Sequence, residues 1–107
     1  MPTINAEIKT CEGIGEYVMS DFETPDIAKE RAKQRAEQSA QEKAGVYVES
    51  FTKVENMTVT KDEIFTMTNG IMQVFDVKYQ TLPSTDGVGV MVRATIKANI
   101  DTSKVDE

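Results

Sequence analysis

The sequence predicts an α+β fold in which one long and one short helix pack on a mixed or antiparallel sheet of about four to five strands. Alanines at every fourth position in a run of strong helix formers predict the long helix. A capping box at Thr60–Glu63 predicts the start of the short one. Alternation of apolar and polar residues predicts the strands. The expected element order is therefore β-α-β-α-β-β with a C-terminal hairpin.

The first predicted strand lies close to the N-terminus. Residues 3–10 alternate between apolar and polar side chains, Gly13-Ile14-Gly15 interrupts them, and residues 16–19 resume the extended pattern. The glycine pair lacks the third glycine of a dinucleotide-binding loop, and no Gly-Lys-Ser/Thr follows it. A bulge or sharp bend is therefore expected here rather than a ligand loop.

The long helix is expected to begin at Thr24-Pro25-Asp26, which supplies a hydroxyl cap, a proline at the first helical position and a carboxylate near the positive end of the dipole. It is expected to run to about Ala44 and stop at Gly45. Its alanine stripe drifts by roughly 160° around the axis and comprises Ala28, Ala32, Ala36, Ala40 and Ala44. Such a small face is expected to lie tightly on its own sheet; the alternative is contact with a helix of a partner or of another copy.

The remaining elements are predicted by local patterns. Residues 46–54 are rich in β-branched and aromatic side chains and predict a middle strand. The short helix is expected to span about two turns and to end at Asn69-Gly70. Residues 71–82 and 88–100 alternate and are joined by a turn sequence at 83–87, which predicts an antiparallel hairpin. One face of the first of these strands is expected to carry Phe75, Val77 and Tyr79. The inward positions of the second are expected to be Val88, Val90, Val92, Ala94, Ile96, Ala98 and Ile100.

Composition excludes several classes of function. The 107 residues are expected to form one domain, 1–107, ordered over about 3–101 with a polar tail at 102–107. Eighteen acidic against twelve basic residues give a net charge of −6, which argues against nucleic acids and anionic membranes as partners. The chain contains no histidine, so no enzyme, metal or cofactor is expected. No apolar run reaches the roughly 18 residues of a transmembrane segment.

Individual reactive residues give little support for chemistry. Cys11 is the one cysteine and has no partner for an intramolecular disulfide. It falls in the polar phase of the first strand, so its thiol is expected to be partly exposed, and its role stays open. The acidic residues are expected to be solvated or structural. The alternative function, a small-ligand or cation-binding domain, would take oxygen ligands from Asp86, Glu16 or Asp76.

Tyr47, Phe51 and Met91 form the possible interaction surface. They lie in the opposite phase from the predicted core positions, where one face of a two-layer fold meets water. Either the N-terminal segment covers them or they form an apolar contact patch. An open sheet also has two edges to which another chain can add a strand. These features predict a protein partner or a homo-oligomer.

The alanine stripe leads into Ala44-Gly45-Val46-Tyr47-Val48-Glu49-Ser50, followed by Thr60, Asp62-Glu63-Ile64 and Gly70-Ile71. This succession resembles a bacterial envelope family that includes the small twenty-kilodalton outer-membrane lipoproteins and the N-terminal domain of flagellar assembly protein T. The similarity covers roughly residues 13–100. It implies an exported module with helices against a sheet, often a segment of a larger envelope protein, with its leader removed.

The resemblance transfers no functional residue and no membrane anchor. Cys11 follows Ile8-Lys9-Thr10 rather than an apolar leader, so the lipidation motif of such lipoproteins is missing. Together, the residues and the resemblance predict a non-enzymatic interaction or scaffold module of the bacterial cell envelope, located outside the cytoplasm.

Overall fold

The computed structural model describes residues 8–84, 87 and 89–102. It contains two helices and three strands, in the order β1 (Ile8–Val18), α1 (Pro25–Val54), α2 (Lys61–Ile71), β2 (Met72–Pro83) and β3 (Val90–Asp101). The strands form an antiparallel sheet in the order β1-β3-β2, and α1 lies across β1 and β3. The predicted α+β class is confirmed, whereas the predicted four to five strands and the order β-α-β-α-β-β are wrong.

The error in strand number arises at residues 46–54, which belong to α1. The helix does not stop at Gly45, because the buried stripe continues at the same spacing of four residues through Val48 and Thr52, which are 0% and 1% exposed. Burial of this continued stripe outweighs the cost of a glycine in a helix, about 1 kcal/mol relative to alanine. It also overrides the β propensity of the segment.

Both ends of α1 are capped by local side chains and backbone groups. At its start, the Thr24 hydroxyl accepts a hydrogen bond from the N–H of Ile27, as expected of a cap. At its end, Asn56 has a φ of 59°, and the N–H of Met57 donates to the carbonyl of Thr52 at 2.9 Å. A left-handed residue closing such a bond is the usual helix terminator. Asn56, and not Gly45, therefore ends the helix.

The predicted bend at Gly13-Ile14-Gly15 is absent, because β1 runs through it without interruption. Gly13 and Gly15 pair with Ile96 and Ala94 of β3. A Cβ atom on either glycine would overlap the backbone of α1; on Gly13 it would also lie 2.6 Å from the nitrogen of Ala40. The glycines thus allow the alanine stripe to approach the strand backbone directly.

The core consists of two clusters along the α1–sheet interface. The first joins the alanine stripe to β3 and contains Ala28, Ala32, Ala36, Ala40, Val92, Ala94 and Ile96. The second joins the end of α1 to α2 and contains Cys11, Ala44, Val48, Ile71 and Ile100. The predicted inward phase of β3 is confirmed from Val92 onward, since Val92, Ala94, Ile96, Ala98 and Ile100 are all buried. At the start of the strand it is wrong, because Met91, predicted outward, is buried and Val90, predicted inward, is only partly buried.

Cys11 corrects the predicted phase of the first strand. Its side chain faces α1 and is only 9% exposed, whereas Ile8, expected on the inner side, is 63% exposed. The inner phase consists of Cys11, Gly13 and Gly15, which carry little hydrophobic signal. Ile4 and Ala6 lie outside the described residues.

The C-terminal hairpin is confirmed. β2 pairs antiparallel with β3 from Met72↔Ile100 to Pro83↔Val90. The register shifts once, between Val74 and Asp76, so that Phe75 is an extra residue at a bulge. Beyond the bulge, Val77 and Tyr79 occupy one face, as predicted.

Candidate functional site

The three residues of the predicted interaction surface do not lie together. Tyr47 and Phe51 are on the last turns of α1, half-buried against the second core cluster, and the Lys9 ammonium lies 5.3 Å from the centre of the Tyr47 ring. Met91 is buried at the opposite end of β3, paired with Val18. Nine residues of strand separate it from the second cluster, about 30 Å. The prediction that the three share one face of the sheet is wrong because Tyr47 and Phe51 are helical. A role of these residues in binding a partner stays a prediction.

The acidic residues considered for cation binding are also apart. Glu16 forms an ion pair with Arg93 at 2.6 Å, and Asp76 lies 3.9 Å from the Lys78 ammonium. The two acids occupy opposite edges of the sheet, and Asp86 is outside the described residues. Among the residues that the structure describes, no group of three or more His, Cys, Asp or Glu side chains is placed to hold a metal ion.

Two depressions flank α2. One, between α1 and α2, has a volume of ≈ 250 Å³, below the roughly 300–1,000 Å³ of ordinary ligand sites. The Gln41 side chain at its wall already donates to Asn69 at 2.7 Å. The other, of ≈ 530 Å³, is more open, and the Glu63 carboxylate beside it accepts from the Thr60 N–H in the capping box. The Glu63 carboxylate and the Gln41 amide are thus engaged in hydrogen bonds that stabilise the fold.

Side chains of α1 bond two outward carbonyls at the β1 edge of the sheet. Arg35 donates to the carbonyl of Glu16 at 2.7 Å, and Lys43 donates to the carbonyl of Glu12 at 2.9 Å. Eight helical residues span about 12 Å and four strand residues about 13 Å, so helix and strand match in spacing. Two backbone acceptors that would otherwise bond an added strand are therefore occupied by the chain itself.

Backbone groups alternate in direction along an antiparallel strand. The outward direction of the Glu12 and Glu16 carbonyls therefore determines which N–H and C=O groups of β2 point away from the sheet. The backbone N–H and C=O groups of Glu12 and Glu16 point away from β3. Those of their partners Lys97 and Arg93 therefore point toward β2. Those groups face Asp76 and Gln80. The intervening residues of β2 consequently direct N–H and C=O away from the sheet; they are Val77, Tyr79 and Thr81. No other part of the described chain donates to or accepts from these groups.

The side chains around this edge are apolar and only partly covered. Because α1 lies mainly over β1 and β3, the helix-side face of β2 is only partly covered. The Lys29 ammonium of α1 lies 5.7 Å from the centre of the Tyr79 ring, and Tyr79 is still 42% exposed and Val74 36%. Phe75, at the bulge, is 56% exposed. We call the outward backbone of Val77, Tyr79 and Thr81, together with these exposed side chains, the β2 edge. Within residues 8–84, 87 and 89–102, this surface combines unpaired backbone groups with exposed aromatic rings.

The sequence predicted that an edge would be available but not which one. The alternation of Val77 and Tyr79 with charged residues was visible. The hydrogen bonds at the β1 edge join two cations of α1 to carbonyls that are 19 and 31 positions away in the sequence. No local sequence pattern indicates such contacts.

A polar cluster joins β1 to the start of α1. The Tyr17 hydroxyl donates to the Glu23 carboxylate at 2.6 Å, and the Ser20 N–H donates to the same carboxylate at 2.9 Å. The Arg35 guanidinium lies 5.2 Å from the centre of the Tyr17 ring. The bond from Tyr17, followed by that from Ser20, lowers the pKa of Glu23, and the same bond raises the pKa of Tyr17. This cluster fixes the loop that brings α1 onto the sheet.

Replacing Tyr17 by phenylalanine is expected to raise the pKa of Glu23 toward its ordinary value, as measured by NMR titration of the carboxyl group. Because the folded-state pKa is lowered, the bond stabilises the protein above the ordinary glutamate pKa. This stabilisation disappears as the pH falls through the folded-state pKa. The difference in unfolding free energy between wild type and variant should therefore be largest near neutral pH and shrink in acid. Tyr79→Phe is the control; an unchanged Glu23 pKa in Tyr17→Phe would contradict the assignment.

Neither described helix combines the length and apolarity needed to cross a bilayer. Comparison of the chain with protein-family models, with curated proteins and with solved structures found no significant match. The resemblance to the envelope family therefore stays a prediction.

Proposed function

We propose that this protein is a non-enzymatic interaction or scaffold module of the bacterial cell envelope that binds another polypeptide at the β2 edge. The observation that carries the proposal is the asymmetry of the sheet. Arg35 and Lys43 bond two outward carbonyls of the β1 edge, whereas no described group bonds the outward backbone of Val77, Tyr79 and Thr81 at the β2 edge, beside exposed aromatic rings. The envelope location rests on the sequence resemblance alone.

Strand addition explains why such an edge would be left open. An added strand gains backbone hydrogen bonds for affinity, while pockets for alternate side chains give specificity. Long, unprotected edges cause aggregation, and proteins usually cover or charge them. This chain bonds two outward carbonyls of β1 with its own cations and leaves the outward groups of β2 unbonded, with the rings of Phe75 and Tyr79 beside them. An edge used for binding accounts for that difference.

The reactive groups support a function without catalysis. The chain has no histidine. Burial raises the pKa of the Cys11 thiol, which disfavours the thiolate that a nucleophilic cysteine needs. The Glu16 and Glu23 carboxylates are engaged by Arg93 and Tyr17. Reproducible turnover of a substrate by the purified protein would overturn this part of the proposal.

Photo-crosslinking in intact producing cells tests the proposal. A photoreactive amino acid is placed at Thr81 on the β2 edge or, as the matched control, at Glu12 on the β1 edge. We expect discrete crosslinked proteins from position 81, identified by mass spectrometry, and none from position 12. The products should fractionate with the envelope. Equal products from both edges, or none from either, would contradict it.

A further inference from the structure

We propose that the polypeptide at the β2 edge is a second copy of this chain, joined antiparallel about a two-fold axis at Tyr79. The two three-stranded sheets would then form one continuous six-stranded sheet. This inference rests on the proposed function, because it names the occupant of the same edge. Two-fold pairing is isologous, so each copy contributes the same residues to the contact.

The hydrogen-bonding pattern of β2 selects this register. With the axis at Tyr79, each Tyr79 faces its own counterpart and each Val77 faces Thr81 of the other copy. All three residues direct their N–H and C=O outward, so each facing pair is of the hydrogen-bonded type. Every outward backbone group from residues 77, 79 and 81 is then satisfied in both copies. Two copies of β2 therefore satisfy each other's outward backbone groups without a third partner.

Neighbouring registers are poorer for identifiable reasons. An axis at Lys78 places two lysines directly opposite each other, which is destabilising. An axis at Gln80 places Val77 opposite Pro83, which has no N–H to donate. An axis at Val77 places Tyr79 opposite the bulge at Phe75, where regular pairing ends.

The charges of β2 are compatible with self-pairing. The chain carries a net charge of −6, so two copies repel each other over most of their surfaces. In β2 the charged side chains are Asp76 and Lys78, which lie 3.9 Å apart and leave the strand neutral. With the axis at Tyr79, Asp76 faces Leu82 and Lys78 faces Gln80. Within the paired strands, neither charge is therefore placed opposite a like charge. The Lys29 ammonium of α1 lies over the Tyr79 ring, on the helix-side face and not between the paired strands.

Cysteine crosslinking tests both the partner and the register. In a Cys11→Ala background, Tyr79→Cys places two thiols across the axis at a Cα separation of about 5.5 Å, within the range of a disulfide. We expect mild oxidation to give a covalent dimer. Val77→Cys is the matched control, because its two copies are displaced by about 14 Å along the strands. It should crosslink only when mixed with Thr81→Cys.

The mass of the wild-type chain gives an independent measurement. Light scattering across a wide concentration range should reach twice 11.9 kDa. Thr81→Pro removes an N–H that is directed toward the second copy, so it should yield a monomer that still unfolds cooperatively, at a midpoint that no longer depends on protein concentration. Circular dichroism of each variant checks that it is folded.

The results separate this inference from the proposed function. A monomeric wild type, together with Tyr79→Cys crosslinking no more than Val77→Cys, overturns self-pairing. Crosslinking of Val77→Cys alone overturns the register. If position 81 nevertheless captures a single, different protein in cells, the interaction module stands and the second copy is rejected. A dimer without any crosslinked envelope protein supports self-pairing and rejects the binding of a different envelope protein at this edge.

Discussion

Replacing Gly13 or Gly15 by alanine is expected to destabilise the protein by about 3 kcal/mol. An added Cβ on Gly13 would overlap the carbonyl oxygen of Ala36, and one on Gly15 would lie 2.7 Å from the carbonyl carbon of Arg35. The obstructing atoms are backbone atoms of α1, so no side-chain rotation relieves the overlap. The whole helix must move away from β1, and the contacts of the first core cluster weaken with it.

Urea unfolding of each variant measures this effect. Gly45→Ala is the matched control, since its added Cβ would lie 3.9 Å from the Thr68 hydroxyl oxygen, an ordinary contact. Removing a glycine from the interior of a helix is expected to stabilise the protein by roughly 0.5–1 kcal/mol. The same chemical change should therefore have opposite signs at two positions. Wild-type stability of Gly13→Ala would show that the helix does not lie on the strand backbone.

Elements with local signals were predicted correctly. The start of α1 follows from the cap at Thr24, and the start of α2 follows from the capping box, whose two hydrogen bonds join Thr60 and Glu63. The inward phase of β3 follows from its alternation. In each case the determining residues are neighbours in the sequence, so a short window contains the physical cause.

The wrong predictions concern the end of α1 and the buried phase of β1, where the sequence signal is weak or comes from residues far apart in the chain. Gly45 and the β-branched residues after it outweighed the continued spacing of Val48 and Thr52, although that spacing and Asn56 were visible. In β1 the buried phase is carried by Gly13 and Gly15, whose lack of a side chain is what permits burial. Hydrophobic periodicity does not detect such a phase, because the apolar surface belongs to the opposing helix.

The candidate site was predictable only in part. A free sheet edge follows from any open sheet, and β2 was correctly placed in a hairpin. The assignment of Tyr47 and Phe51 to a sheet surface failed with the assignment of their strand. The difference between the two edges depends on the hydrogen bonds that Arg35 and Lys43 donate to carbonyls of β1. Those contacts follow from the depth at which the glycines let α1 settle.

The second large effect is expected for Ile96→Ala, which should destabilise the protein by about 3–5 kcal/mol. Ile96 is fully buried in the centre of β3, with Gly13 opposite it on one neighbouring strand and Val77 on the other. The cost of a shortened core side chain depends on how far its surroundings collapse into the space. Here the neighbours on β1 and α1 are glycine and alanine, which have no rotatable side chain that could move atoms into the space.

Collapse by movement of the helix is also prevented, because α1 already contacts the β1 backbone at Gly13 and Gly15. The cavity should therefore persist, and the loss should fall in the upper part of the range. Ile14→Ala is the matched control: its side chain is 47% exposed and lies on the other face of the sheet, so a loss of about 1 kcal/mol or less is expected. Urea unfolding compares the two. Equal losses would mean that α1 can follow the sheet inward, which is incompatible with a helix held at backbone contact.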